Sequence, residues 1–339
     1  MKINKQQLQQ ALEIVKPGLA NRDSIEQATS FAFIKGHVIT YNDEISISHP
    51  VEGLELEGAV PADLLYPLLL KIKQEEIEIE IKENEILIYA GKAKAGLALQ
   101  SEIKLPLEDE TAKKGKWKPL PENFIKLIGF AIPSCAKDSS SNIILTCVHV
   151  TKTGFIEASD NFRLTRCNLG KDMPIKTFLL PADSATQVIK LNPVKIAEGK
   201  GWVHFQTKAG TEISCRIFEE DFPDVTALLE ADGVKLILPQ SLQEILDRAM
   251  VIAKRERSIE ENVSIDLVDK KLKIKAESEV GWVTEETPLR YDGKPIHFDI
   301  TPYLLKGILS ETQECELSEN KIKFEGEGWV YISALRSSK

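Results

Sequence analysis

His37, His49, His149, His204 and His297 are the groups in this chain best fitted to move protons near neutral pH, because an imidazole titrates there unaided. They are scattered, and most fall on strand-like runs where packing or surface placement accounts for them. Nucleophilic chemistry has as little support. Cys135, Cys147, Cys167, Cys215 and Cys315 are odd in number and share no CxxC or metal-ligand spacing, so they read as buried thiols in a reducing compartment. The acidic triplet Glu219-Glu220-Asp221 has the ligand type for a hard cation, but a solvated turn is the better reading. No GxxxxGK[ST] loop, GxGxxG, HExxH or GxSxG occurs. The expectation is a protein with no catalytic residues, no metal and no cofactor.

Charge carries more information than these candidates do. The net charge of −9 argues on its face against nucleic acid, yet distribution matters more than the sum. Glu75, Glu76, Glu78, Glu80, Glu83 and Glu85 stand against a single Lys82 in a strand-like stretch. Arg248, Lys254, Arg255 and Arg257 gather instead, against Glu244, Asp247 and Glu256, around a helix-like one. The pattern predicts an acidic sheet surface and a basic helical surface. No apolar run approaches the length of a membrane span and the N-terminus lacks a signal-peptide core, so no membrane partner is expected and the cytoplasm is the expected compartment.

The elements that must position these charges recur. Val60-Pro61-Ala62-Asp63 and Leu180-Pro181-Ala182-Asp183 share a proline-led helix start 120 residues apart, and Phe298-Asp299-Ile300-Thr301-Pro302-Tyr303 is a looser third copy. Each is preceded by another helix-like run, opening near Ile3, Leu120 and Leu238, which stand 117 and 118 residues apart. Each is followed by an alternating hairpin: Ile86 to Gln100, Trp202 to Ile217, and Lys321 to Ile332. Leu8, Ala11, Leu12 and Val15 give the first helix one apolar face from about Lys5 to Lys16, and Pro17-Gly18 stops it. Pro67 should kink or shorten the helix that follows Pro61. Asn142 to Val148 and Gly154 to Ala158 read as strands, while Glu108 to Lys118 and Glu230 to Gly233 read as linkers. The reading is α+β, with three repeated domains at 1–112, 113–230 and 231–339, each an antiparallel sheet with two helices on one face. Repeats without a catalytic constellation suggest a scaffold or a ring.

One loop narrows the choice. Glu157-Ala158-Ser159-Asp160-Asn161-Phe162-Arg163-Leu164 carries turn chemistry between two strand-like runs. It resembles the middle-domain turn of bacterial-type beta sliding clamps, the processivity subunits of replicative DNA polymerases, which typically read Ala-Thr-Asp-Gly-His-Arg-Leu there. Arg216 to Asp224, Val60-Pro61-Ala62, Phe298 to Leu309 and Tyr331 to Arg336 match that family in place and order, so the resemblance spans the chain.

The resemblance implies the DNA clamp fold as a head-to-tail dimeric ring, closed around double-stranded DNA without reading its sequence. It also implies the replicative DNA polymerase and a clamp loader as partners. Arg22 falls in the loop where the family has a DNA-contacting arginine, and Lys71, Lys73, Lys126, Lys190, Lys254, Arg255 and Arg257 lie on or beside the repeated helices. The family's partner-peptide pocket would be walled here by Leu145, Phe162, Arg163, Leu164, Pro223, Leu228, Tyr303 and Leu335. The dimer contact would set Leu97 and Leu99 against Val251 and Ile252 of a second chain. Three departures stand out: Asn161-Phe162 for Gly-His, Ala227 for an arginine, and Ser333-Ala334-Leu335 for Met-Pro-Met. They fit a divergent member, phage-borne or chromosomal, with an altered pocket. The alternative is a non-catalytic repeat scaffold that binds protein partners without encircling DNA.

Overall fold

A computed structural model describes residues 1–22, 24–107, 114–137 and 142–336. The chain divides into two compact units, Met1–Gly129 with Val150–Thr153 and Lys171–Glu220, and Phe130–His149 with Gly154–Gly170 and Asp221–Lys339. Residues 113–230 therefore contribute to both. Most of the expected Glu108 to Lys118 linker lies outside the described residues.

The first unit begins with the Lys5–Val15 helix. Asn4 caps it by accepting the Gln7 N–H at 2.9 Å, and Leu8, Ala11, Leu12 and Val15 form its buried face. Each of those leucines contributes about 1.5–3 kcal/mol by leaving water. The chain leaves the helix through a 3₁₀ turn at Lys16–Gly18, where Thr40 Oγ1 donates to the Val15 carbonyl. Gly18 must be glycine, because a Cβ there would stand 2.4 Å from that hydroxyl. Helix Ala62–Lys71 follows strand Gly58–Pro61 and continues through Pro67 without a break in its helical assignment.

Two antiparallel sheets complete this unit. The smaller runs Lys2–Asn4, Glu76–Lys82, Glu85–Ala90, Ala93–Ala98, with Ile79 opposite Ile88 and both buried. Glu76, Glu78 and Glu80 alternate outward and are exposed, as the two-residue period requires. The larger runs Gly58–Pro61, Ser30–Ile34, His37–Tyr41, Ile45–Pro50, Glu212–Arg216, Trp202–Gln206, Lys195–Glu198, Lys118–Pro119. Its middle joins successive repeats: Ile47 pairs with Ile213, and the Tyr41 and Trp202 rings sit 6.2 Å apart.

The second unit repeats the plan. Its small sheet runs Gly281–Pro288, Lys271–Ser278, Val263–Val268, Ile296–Ile300. Asp269 and Lys270 make the expected turn, both with positive φ. Leu242, Ile245, Leu246 and Ala249 of helix Leu242–Ala253 share one core with Ile265, Leu272 and Ile274. Helix Pro302–Lys306 contributes Leu305 to the same core. Within this unit, strands Phe155–Ser159, Arg163–Asn168, Trp329–Ala334, Lys321–Gly326, Glu314–Leu317 and Val234–Ile237 follow one another in a larger sheet, again crossing a repeat boundary. The Asn142 to Val148 strand is only half realised. Asn142 accepts the Ile144 N–H at 3.0 Å and so starts a 3₁₀ turn at Ile143–Thr146, leaving the strand to begin at Cys147.

Candidate functional site

The residues expected to wall the partner pocket all belong to the second unit. Strands Phe155–Ser159 and Arg163–Asn168 are joined by a turn in which Asn161 has φ 72°, a conformation open to glycine and tolerated by asparagine. The Asp160 carboxylate accepts the backbone N–H groups of Phe162 and Arg163, at 3.1 and 3.0 Å, and Arg163 Nε at 3.0 Å. Burial nevertheless raises its pKa, against the pull of Arg163 and those N–H groups. Held in this way, the Arg163 guanidinium lies over the Tyr303 ring, 5.3 Å from the centroid. Burial also raises the Tyr303 hydroxyl's pKa.

The C-terminal strand brings Leu335 into the same neighbourhood. Arg163 pairs with Ser333 and Leu164 with Ile332, and the Ala334 N–H donates to the Phe162 carbonyl at 2.8 Å. The Leu335 N–H donates to the Asn320 carbonyl at 2.9 Å, while its side chain packs on the third repeat's core. Tyr331 Oη donates to the Leu304 carbonyl at 2.6 Å, fastening the Pro302–Lys306 helix that carries Tyr303 to this strand. Leu145 and Leu164 are buried; Phe162, Pro223 and Leu228 are exposed, with Phe162 at 45% and Leu228 at 53%. The surface thus offers apolar side chains beside a fixed cation and an aromatic face, which suits an extended apolar peptide.

A network that sequence reasoning missed holds the segment bearing Pro223 and Leu228. Glu157 is almost wholly buried and accepts His149 Nδ1 at 2.8 Å and Arg166 Nε at 2.5 Å. Burial pushes its pKa up, but the hydrogen bonds and charge of His149 and Arg166 outweigh that and hold it below the usual carboxylate range. The His149 ring stacks on Phe222 at 4.8 Å, Arg166 reaches Thr226 Oγ1 at 3.5 Å, and Asp224 accepts the Thr226 N–H at 2.9 Å. Lys321 Nζ donates to the Leu228 carbonyl at 3.0 Å. The signal was present in the sequence as a glutamate between Ile156 and Ala158, a charge in a buried run.

The basic residues expected to meet DNA are all exposed. Lys71 and Lys190 sit in the last turns of their helices, where they also offset the helix dipole, and Lys126 lies on the Phe124–Ala131 helix. Lys73 and Arg22 occupy loops, and Lys254 follows the Leu242–Ala253 helix. Arg255 is already committed: it donates to the carbonyls of Ala253, Lys254 and Glu277 at 3.2, 2.9 and 3.0 Å. Arg257 stands 3.9 Å from Glu260. Arg248 is neutralised by a two-point pair with Glu285 at 2.6 and 2.8 Å. Lys16, which was overlooked, lies 4.6 Å from the Tyr66 ring centroid.

At the expected dimer contact one residue must be withdrawn. Leu99 is 4% exposed and lies just beyond the edge strand Ala93–Ala98, where it fills the space left by Gly58; a Cβ on that glycine would stand 2.6 Å from Leu99 Cδ1. It is a core residue of the first unit. Leu97 is half-buried on the edge strand, Ile252 is half-buried against its core, and Val251 is 73% exposed. The sequence reading overlooked Val280 and Trp282, exposed at 96% and 70% at the start of another edge strand, Gly281–Pro288.

Among the described residues no group of three or more His, Cys, Asp or Glu is placed to hold a metal ion, and no helix is long and apolar enough to cross a membrane. The five cysteines are free and buried, and burial pushes the Cys167 and Cys315 thiols up to about 12.

No family model and no curated protein matches the chain in sequence. Solved structures match it along its whole length, and the fold is that of bacterial DNA polymerase sliding clamps. A DnaN sliding clamp (DNA polymerase III subunit beta) from Pseudomonas aeruginosa superposes with a TM-score of 0.86 at 18% identity, covering 100% of this chain and 99% of that one. The Bacillus subtilis DNA polymerase sliding clamp gives 0.84 at 19%, and the Thermotoga maritima DNA polymerase III beta subunit 0.82 at 19%, each with the same coverage.

Proposed function

We propose that the chain is a DNA sliding clamp, an accessory subunit that encircles duplex DNA and tethers a replicative polymerase without catalysing a reaction itself. One observation carries this reading: a threefold repeat, legible in the sequence, folds over its full length into the clamp architecture. On this reading the three segments 1–112, 113–230 and 231–339 are the clamp domains. Arg22, Lys71, Lys73, Lys126, Lys190, Lys254 and Arg257 attract backbone phosphates, which gives sequence-independent and salt-sensitive binding. The groove around Arg163, Leu164, Tyr303 and Leu335 takes short apolar motifs from the polymerase and the clamp loader. The cytoplasm is the compartment in which such a protein works.

Closure needs a second copy. Strands Ala93–Ala98 and Gly281–Pro288 are sheet edges, and an edge with apolar neighbours is a template for pairing. We place the first edge of one chain, with Leu97, against the second edge of another, with Val251, Ile252 and Trp282; the same heterologous contact made twice closes a ring. Light scattering at micromolar concentration tests it. The native protein should weigh twice one chain, and Val251→Asp with Trp282→Ala should weigh one. A native monomer contradicts the ring.

A further inference from the structure

A lysine-lined cavity in the first unit serves none of these roles. It is an open depression of about 500 Å³ beside the paired strands Lys118–Pro119 and Lys195–Glu198. Lys116, Lys118, Lys176 and Lys200 line it together with Glu198 and Glu219. Lys118 Nζ donates to the Pro174 carbonyl at 2.7 Å, and Lys176 Nζ lies 3.3 Å from Glu198. Lys116 and Lys200 are exposed and have no hydrogen-bond or carboxylate partner among the described residues. Ammonium groups gathered around one concavity repel each other, and the carboxylates present leave an excess of positive charge.

The fold does not demand two of these lysines, Lys116 and Lys118. Gly115 and Gly233 hold equivalent places in successive repeats, each against the carbonyl of a neighbouring strand: a Cβ on Gly115 would stand 3.2 Å from the Glu198 oxygen, and one on Gly233 2.3 Å from the Leu317 oxygen. Gly115 is followed by Lys116-Trp117-Lys118, and Gly233 by Val234-Lys235-Leu236. The later copy therefore builds the same corner with apolar residues where the earlier one has lysines.

We propose that this cavity binds a phosphate-bearing anion. Ammonium groups bind phosphate as point charges with little directional demand, and several converging on one concavity hold an anion that none would hold alone. The volume lies within the range of small-molecule sites. The occupant is a free phosphate compound or a backbone phosphate of single-stranded nucleic acid.

The amide resonances of Gly115 and Gly199, both in the cavity wall, report occupancy in the full chain. They are followed at low ionic strength during titration with inorganic pyrophosphate and, separately, with a short oligodeoxythymidylate. At least one probe should shift them saturably. The variant Lys116→Gln with Lys200→Gln should lose about tenfold or more in affinity, roughly the worth of one charged hydrogen bond. Both side chains are exposed, so its unfolding midpoint should match that of the native protein. Saturation by pyrophosphate assigns a free phosphate ligand; saturation by the oligonucleotide alone assigns nucleic acid. No saturable shift from either probe, or undiminished affinity in a folded variant, overturns the site.

Discussion

The Arg163 guanidinium sits 5.3 Å above the Tyr303 ring and ties a turn of the middle repeat to a helix of the last. Asp160 sets the cation's position through Nε, and both side chains of that pair are only 10% exposed. A mostly buried, paired arginine over an aromatic face is a rigid platform, and rigidity lowers the entropy the groove itself loses when a peptide docks.

If that platform anchors a partner, Tyr303→Ala with Leu335→Ala removes its aromatic face and a neighbouring apolar wall. Hot-spot losses of about 2 kcal/mol or more correspond to roughly thirtyfold weaker polymerase binding. Stimulation of the cognate polymerase in primer extension should vanish while light scattering still reports a dimer. Undiminished stimulation by a folded variant would remove the groove from the account.

Asn161 stands where a glycine is usual in sequences this chain resembles, and its φ of 72° explains why the exchange is tolerated. Asn161→Gly should change stability little. Asn161→Val should cost about 1–2 kcal/mol, since a branched side chain is strained in that conformation. Urea unfolding midpoints check both, and equal midpoints would mean the turn accommodates any residue.

His204 should make the chain sensitive to mild acid. It is buried, Nδ1 lies 2.8 Å from Ser214 Oγ, and Nε2 has no hydrogen-bond partner among the described residues. Burial, helped by Lys114, pushes its pKa down to about 4. An unfolded histidine titrates at about 6.5, so between these values the unfolded chain binds more protons and stability falls as pH is lowered. The loss from this group amounts to about 3 kcal/mol across that window and levels off below it. Unfolding free energies measured across the window should show His204→Leu less pH-dependent by about that amount. Parallel curves for the two proteins would refute the assignment.

What was legible in the sequence was whatever periodicity enforces. Leu8, Ala11, Leu12 and Val15 had to share a face, and Ile77 and Ile79 had to point away from Glu76, Glu78 and Glu80. Proline-led starts recur because strands ending at Pro61 and Pro181 run directly into helices. What was not legible depended on partners distant in the chain. Leu99 shares alternation parity with Leu97, and the missing side chain of Gly58, distant in sequence, leaves the space it fills. Glu157 faces Arg166 across a hairpin and gains His149 from a third strand, so its role depends on strand pairing. Trp282 follows no pattern that separates an exposed aromatic from a core one.

Encirclement is the central claim, and topology tests it most directly. After loading onto nicked circular DNA by a clamp loader, the protein should co-elute with the circle and be lost when the DNA is linearised. Arg22→Glu with Lys254→Glu, both exposed positions, should load poorly at moderate salt. Retention that survives linearisation, or no retention on the circle at all, would contradict a closed ring around DNA.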